Sequence, residues 1–237
     1  MKLVVLVDNE VSNPSCVPAW GLSIALDLGN EVLLFDGGPS PDALARNAVV
    51  AGIDLARVTT VVVSHGHGDH VNGLTALPDP TKVAVYLPSC VPRRVARFLE
   101  SKGFAIQFVS DWMEIRRGIY VSKPFPEPIC EQFLVLDLGS YLAMIVGCSH
   151  PSILSMVEEA RRYLAKPVKI VIGGMHLFTS SERWIEELFE ELRKLGVERI
   201  APIHCSGSLA KEVGRKVFGE GLLDVAGCSC LDLWALW

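Results

Sequence analysis

The chain carries six histidines, and each of them follows an apolar run. His65-Gly66-His67-Gly68-Asp69-His70 comes after Val61-Val62-Val63-Ser64, and His150 after Ile145-Val146-Gly147-Cys148-Ser149. His176 comes after Ile170-Val171-Ile172-Gly173-Gly174-Met175, and His204 after Ile200-Ala201-Pro202-Ile203. Apolar β-branched runs read as strands, so four strand exits deliver every imidazole. Neutral imidazole is the commonest nitrogen ligand for zinc and related ions, and carboxylate suits the same ions. Residues two apart on an extended segment point the same way, which lets His65 and His67 grip one ion. Gly66 and Gly68 let the chain turn, and Asp69 and His70 beyond the turn then face a second ion. Two ions a few ångströms apart are the equipment of metal-assisted hydrolysis.

The elements that must position these groups follow from periodicity. Leu3-Val7, Leu22-Leu28 and Val32-Phe35 read as strands, the last two joined through Gly29-Asn30 as a hairpin. A helix over Ala43-Ala51 is capped by Ser40-Pro41-Asp42 and ended by Gly52. The strand Val58-Val63 leads into the histidine segment. Strands at Val83-Leu87 and Phe104-Val109 flank a helix near Pro92-Lys102, and Phe133-Leu136 pairs antiparallel with Leu142-Val146. The last third alternates: helix Ser152-Leu164, strand Val168-Ile172, helix Thr179-Leu195, strand Val197-Ile203, helix Ser208-Phe218. Thr179-Ser180-Ser181-Glu182 is a capping box with Gly196 past the far end, and Trp184, Ile185, Leu188, Phe189 and Leu192 form one apolar face. Strand-rich segments punctuated by amphipathic helices predict an α/β protein with two sheets and helices on their outer faces. Pro124-Phe125-Pro126-Glu127-Pro128 is too short for a linker and reads as a loop bordering the site.

Composition narrows the function classes. With 237 residues, half of them hydrophobic, the chain can bury a large core, and one domain over 1–237 is expected. A formal charge of −5 gives no footprint for nucleic acid. No stretch has the length of a membrane span, and the apolar start Leu3-Val7 is too short for a signal sequence, so the chain reads as cytoplasmic with a small-molecule substrate. The seven cysteines show no paired Cys-x-x-Cys spacing, so no disulfide framework is expected, and no function is placed on Cys228-Ser229-Cys230. Trp234 and Trp237 are placed at a subunit contact or over the core.

The string His-x-His-x-Asp-His after a strand resembles the signature of the metallo-β-lactamase superfamily, and Leu34-Phe35-Asp36-Gly37-Gly38 resembles that family's earlier Asp-Gly turn. The resemblance runs in order along nearly the whole chain. It implies a metallo-β-lactamase αβ/βα sandwich of two mixed sheets. It also implies two divalent ions, zinc first with manganese and iron open: His65, His67 and His150 on one, and Asp69, His70 and His204 on the other. Asp36 is implied to orient a ligand imidazole. In the common pattern an aspartate bridges both ions where this chain has His176. An imidazole cannot bridge as a carboxylate does, so His176 either ligates one ion or acts as acid, base or charge stabiliser, and the expectation is a singly occupied site or a weakly held second ion.

The smaller motifs Gly147-Cys148-Ser149-His150-Pro151, Gly173-Gly174-Met175-His176-Leu177 and Pro202-Ile203-His204-Cys205-Ser206-Gly207 resemble one subgroup. That subgroup comprises dihydropterin-methyl-ribofuranosylaminobenzene-phosphate synthases of the methanopterin pathway and metal-dependent hydrolases. This chain is short between His70 and Cys148, where the subgroup carries a longer lid. The expectation is therefore a metal-dependent hydrolase of a phosphorylated or ester-type small molecule, with Asp69 and His176 in catalysis. A pterin-forming transferase and an iron oxidoreductase are the alternatives. Ser206, Gly207 and Ser208 open a helix whose N–H groups suit a substrate phosphate. Cys148 and Cys205 are expected to support or pack beside ligands.

Overall fold

The computed structural model describes residues 1–236. Its first half runs β1 (Lys2–Val7), β2 (Ser23–Asp27), β3 (Val32–Phe35), α1 (Pro41–Val50), β4 (Val58–Val62), the one-turn α2 (Gly68–Val71), β5 (Ala84–Pro88), α3 (Arg93–Ser101) and β6 (Ala105–Val109). The second half runs β7 (Met113–Arg116), β8 (Ile119–Val121), β9 (Leu134–Asp137), β10 (Leu142–Val146), α4 (Ile153–Leu164), β11 (Val168–Gly173), α5 (Glu182–Lys194), β12 (Arg199–Pro202), α6 (Ser208–Phe218) and β13 (Cys230–Asp232). Two compact units result, one from Met1–Ser110 with the stretch from Val225 onward, the other from Asp111–Asp224.

Unit 1 is a seven-stranded mixed sheet in the order β13-β1-β2-β3-β4-β5-β6. The β2–β3 hairpin is antiparallel, whereas β3, β4, β5 and β6 run parallel. Parallel strands are covered on both faces, which is why Val61, Val62 and Val63 form an unbroken buried run. The register pairs Phe35 with Val62, so the exits of β3 and β4 lie side by side. Ser40 caps α1 as its spacing predicts, accepting from the N–H of Ala43 at 3.3 Å. Asn47 of that helix is buried and spends its amide on β1 and the following loop: Nδ2 donates to the Leu6 and Val17 carbonyls at 2.8 and 2.9 Å, and Oδ1 accepts from the Val17 N–H at 2.7 Å.

A disulfide joins Cys16 to Cys228, 212 residues apart, where the cysteine spacing had indicated no disulfide framework. Spacing could not reveal it, because the partners meet only when the C-terminal stretch returns to this unit. Closing so long a loop restricts the unfolded chain by about 5 kcal/mol in the chain-entropy account, the upper end of the usual range. Cys148, Cys205 and Cys230 carry thiols.

Unit 2 is a six-stranded mixed sheet, β12-β11-β10-β9-β8-β7, in which β10, β11 and β12 are parallel and the rest antiparallel. Its core packs Ile153, Met156, Val157 and Ala160 of α4, Ile185, Phe189 and Leu192 of α5, and Ala210 and Val213 of α6 with Val135, Met144, Val146, Val171 and Ile200 of the strands. At roughly 1.5–3 kcal/mol for each large side chain removed from water, this cluster dominates the stability of the unit. The helix over 179–195 begins later than its pattern suggests: Ser181 is the N-cap, accepting from the Trp184 N–H at 3.3 Å, and Thr179 lies outside. The strands β7, β8 and β13 escape sequence reading because each is only three or four residues long. Trp234 is 56% exposed and does not cover the core; Trp237 lies outside the described residues. No helix among the described residues is long and apolar enough to cross a membrane.

Candidate metal centre

In unit 1 the parallel register sets Asp36, one residue past β3, against Ser64, two past β4. Asp36 is fully buried in the left-handed region (φ 59°) and its carboxylate takes three hydrogen bonds: from the Ser64 N–H at 2.7 Å, the Ser64 hydroxyl at 2.6 Å and His70 Nδ1 at 2.7 Å. Ser64 Oγ also lies 2.9 Å from His65 Nδ1. A hydroxyl has one proton, and here it goes to the carboxylate, so Ser64 accepts from His65 Nδ1–H. One carboxylate thus fixes two tautomers, directly for His70 and through Ser64 for His65, leaving both Nε2 lone pairs for a ligand.

Those lone pairs have metal-like surroundings. His65 Nε2 stands 3.0 Å from His67 Nδ1, close to the about 3.3 Å that separates two nitrogens on one tetrahedral zinc. His70 Nε2 stands 3.7 Å from Asp69 Oδ2, again a separation that one ion spans. His65 and His70 are buried, while His67 is exposed and Asp69 half-buried. The segment is pinned by backbone as well: the Gly37 N–H donates to the His70 carbonyl at 2.6 Å and the Leu22 N–H to the Asp69 carbonyl at 3.2 Å. Gly73 completes this close approach, since a Cβ there would lie 1.9 Å from the Gly37 carbonyl oxygen. The donor set and its oriented lone pairs fit a divalent ion of the zinc type.

Unit 2 gathers its groups from three strand exits. Val146 pairs with Gly173, and Gly173 with Pro202, so the residues after β10, β11 and β12 are neighbours. The His150 and His176 rings lie 4.7 Å apart. A buried carboxylate organises this side too: Glu131 accepts from the N–H groups of Cys148, Ser149 and His150 at 2.8, 2.9 and 2.8 Å. Phe125 and Glu131 exchange backbone hydrogen bonds at 2.8 and 3.0 Å, so the proline-rich loop does border these residues. Ser149, His176 and His204 adopt φ of 58°, 52° and 52°, a left-handed conformation that costs a non-glycine residue on the order of 1–2 kcal/mol.

Ser206 is buried and committed within the chain, accepting from the Met175 N–H at 3.0 Å and donating to the Gly173 carbonyl at 3.5 Å. Gly207 rather than a serine is the N-cap of α6, and Ser208 is exposed on its first turn. Cys205 Sγ accepts from the His176 N–H at 3.3 Å, and Cys148 and Cys205 are both buried. Sequence reading passes over Ser64, and it takes Glu131-Gln132 only as a motif resembling the subgroup, with no role given to the carboxylate. Glu131 had one available signal, a carboxylate directly before the apolar run Phe133-Leu136, where burial demands partners. It also passes over Arg94, which with Asn72 and Phe98 lines a cavity of about 340 Å³ beside Gly66, His67 and Gly68.

The sequence model of the metallo-beta-lactamase superfamily matches residues 21–107, which contain Asp36 and the whole His65–His70 segment, and the chain carries a metallo-beta-lactamase superfamily domain. The crystal structure of a metal-dependent hydrolase of the beta-lactamase superfamily superposes with a TM-score of 0.84 at 26% identity, over 98% of this chain and 99% of that one. The 7,8-dihydropterin-6-methyl-4-(beta-D-ribofuranosyl)-aminobenzene-5'-phosphate synthase of Methanocaldococcus jannaschii is 24% identical over 273 aligned residues, spanning 93% of this chain and 92% of the synthase. That alignment is longer than this 237-residue chain, so the synthase has residues that this chain lacks. Ribonuclease Z of Pyrococcus furiosus is 31% identical over 93 residues, 36% of this chain and 29% of the ribonuclease.

Proposed function

We propose that the protein is a metal-dependent hydrolase acting on a phosphorylated or ester-type small molecule, with the chain from 1 to 237 working as one domain in the cytoplasm. The observation that supports this most is the Asp36–Ser64 device, which turns Nε2 of both His65 and His70 to the ligand side. The ligand set follows the superfamily pattern: His65, His67 and His150 for one divalent ion, and Asp69, His70 and His204 for the other, with zinc favoured by nitrogen and oxygen donors. Ions held there would supply a water acidic enough to ionise near pH 7 and a Lewis acid for the substrate oxygen. Asp69 is assigned to the reaction as ligand and neighbour of that water. His176, exposed just past β11, is assigned to the reaction as a ligand of one ion or as acid, base or charge stabiliser.

The phosphorylated substrate class is favoured by Arg94. Arg93 and Arg94 occupy the first turn of α3, where a cation opposes the helix dipole, and Arg94 borders the cavity beside His67. A charge placed against its helix calls for an anion. The first turn of α6 at Ser208 is a further N–H seat for phosphate. The net charge of −5 disfavours RNA as substrate.

Chromogenic phosphate monoesters, phosphodiesters and uncharged carboxyl esters, tested with zinc- and manganese-loaded protein, separate the cases. Arg94→Ala is expected to raise KM about tenfold or more for phosphorylated substrates and to leave uncharged esters unchanged, since a charge-assisted bond contributes about 1.5–3 kcal/mol. Equal loss on both classes would remove the phosphate assignment. The similarity to the synthase over nearly the full chain supports a second reading, the coupling of a dihydropterin pyrophosphate with a ribofuranosylaminobenzene phosphate. Formation of that pterin without hydrolysis of any ester would select it.

A further inference from the structure

We propose that Cys148, His176 and Cys205 form a soft metal-ligand set within unit 2. The Sγ atoms of both cysteines and a ring nitrogen of His176 all lie within 4.8 Å of one another. Ligand atoms sharing one tetrahedral zinc are about 3.3–3.8 Å apart, so rotation about the side-chain bonds closes the set. Two sulfurs and one nitrogen favour zinc, cadmium or copper(I) over manganese and magnesium.

The surrounding backbone is built for a sulfur anion. The His176 N–H donates to Cys205 Sγ at 3.3 Å, so the sulfur is already an acceptor. Gly174 makes room for it: a Cβ there would lie 2.6 Å from Cys205 Sγ and 2.3 Å from the Gly147 carbonyl oxygen. Glu131 holds the Cys148 N–H, which fixes the other sulfur's origin. Sequence spacing hides the set because its members stand on three different strand exits. On binding, each thiol passes its proton to solvent as its sulfur–metal bond forms.

The inference takes the ligand role for His176 among the roles that the proposed function leaves open, and its test is spectroscopic. Full-length protein, stripped of metal and kept reduced, is titrated with cobalt(II) alone and then with zinc. The expected result is a sulfur-to-cobalt charge-transfer band that zinc displaces. It persists in Cys230→Ser and in the double variant H65A/H67A. It disappears or weakens in Cys148→Ser and in Cys205→Ser, and cobalt affinity falls about tenfold or more in His176→Ala, whose side chain is exposed and whose loss leaves the fold intact. Cobalt binding without the band, a band unchanged in both cysteine variants, or a Cys148–Cys205 disulfide that persists in saturating zinc would each overturn the inference. A band in the double variant alongside lost hydrolysis isolates the thiolate set from the hydrolytic one. An absent band with intact hydrolysis sinks this inference and leaves the proposed function standing.

Discussion

Asp36 in unit 1 and Glu131 in unit 2 are both buried carboxylates that accept several hydrogen bonds, but they hold different things. Asp36 grips side chains, His70 and Ser64, and so sets which nitrogens carry protons. Glu131 grips backbone, three successive N–H groups from Cys148 to His150, and so sets where a loop runs. In unit 1 the candidate ligands are contiguous and need only orientation. In unit 2 they come from separate strands and the chain itself has to be bent, with Ser149, His176 and His204 held in the left-handed region. The lesson is that removing the first carboxylate disturbs chemistry, whereas removing the second disturbs the fold.

Glu131→Ala is expected to have the largest effect. It leaves three buried N–H groups without their acceptor, at about 1–3 kcal/mol each before relaxation, so a loss of about 3–5 kcal/mol in chemical denaturation is predicted. A loss below about 1 kcal/mol would break the comparison. Asp36→Asn comes next: the amide keeps the shape but cannot accept from both His70 and Ser64 as a carboxylate does. Metal affinity is expected to fall about 10–100-fold, with a smaller change in denaturation than Glu131→Ala produces. If the order of the two stability losses were reversed, the distinction between orienting and scaffolding would fail.

A third change sharpens the claim about strain. At the left-handed His176, glycine removes the Cβ clash that alanine keeps, so His176→Gly should be more stable than His176→Ala by about 1 kcal/mol. Equal melting temperatures would show that the conformation is not held against a cost.

The smallest effect is electrostatic and lies in unit 1, away from the histidines. The Arg57 guanidinium, 2.7 Å from Asp27, and the Gly29 N–H hold the Asp27 carboxyl below its ordinary value of 3.8. A lowered carboxyl stabilises the fold above its unfolded value and loses that contribution as pH falls through the folded one. Wild type should therefore exceed Asp27→Asn by about 0.2–1 kcal/mol near neutrality, and the gap should close below pH 4, roughly the unfolded carboxyl range. A gap constant from neutrality to acid would assign the effect to packing instead.

The same contrast explains what the sequence discloses. The His65–His70 segment is legible because all its donors lie within six residues after one strand, and the exits before His150, His176 and His204 are legible because β10, β11 and β12 each end in apolar residues. The register that sets Asp36 on Ser64 is not written in either segment alone. Glu131, the Cys16–Cys228 bridge and the meeting of Cys148 with Cys205 all depend on pairings between distant stretches, which periodicity does not encode. Arg94 hides for the opposite reason, since an arginine on an amphipathic helix looks like any solvated face.

The central claim is that the histidine segment of unit 1 holds catalytic metal. Elemental analysis of bound metal per chain, on wild type and His67→Ala purified side by side and reconstituted with zinc, tests it most directly. At least two ions per wild-type chain are expected, one fewer in the variant, with ester hydrolysis lost along with that ion. Wild type that binds no zinc above background, or a variant with the same metal content and the same turnover, would contradict it.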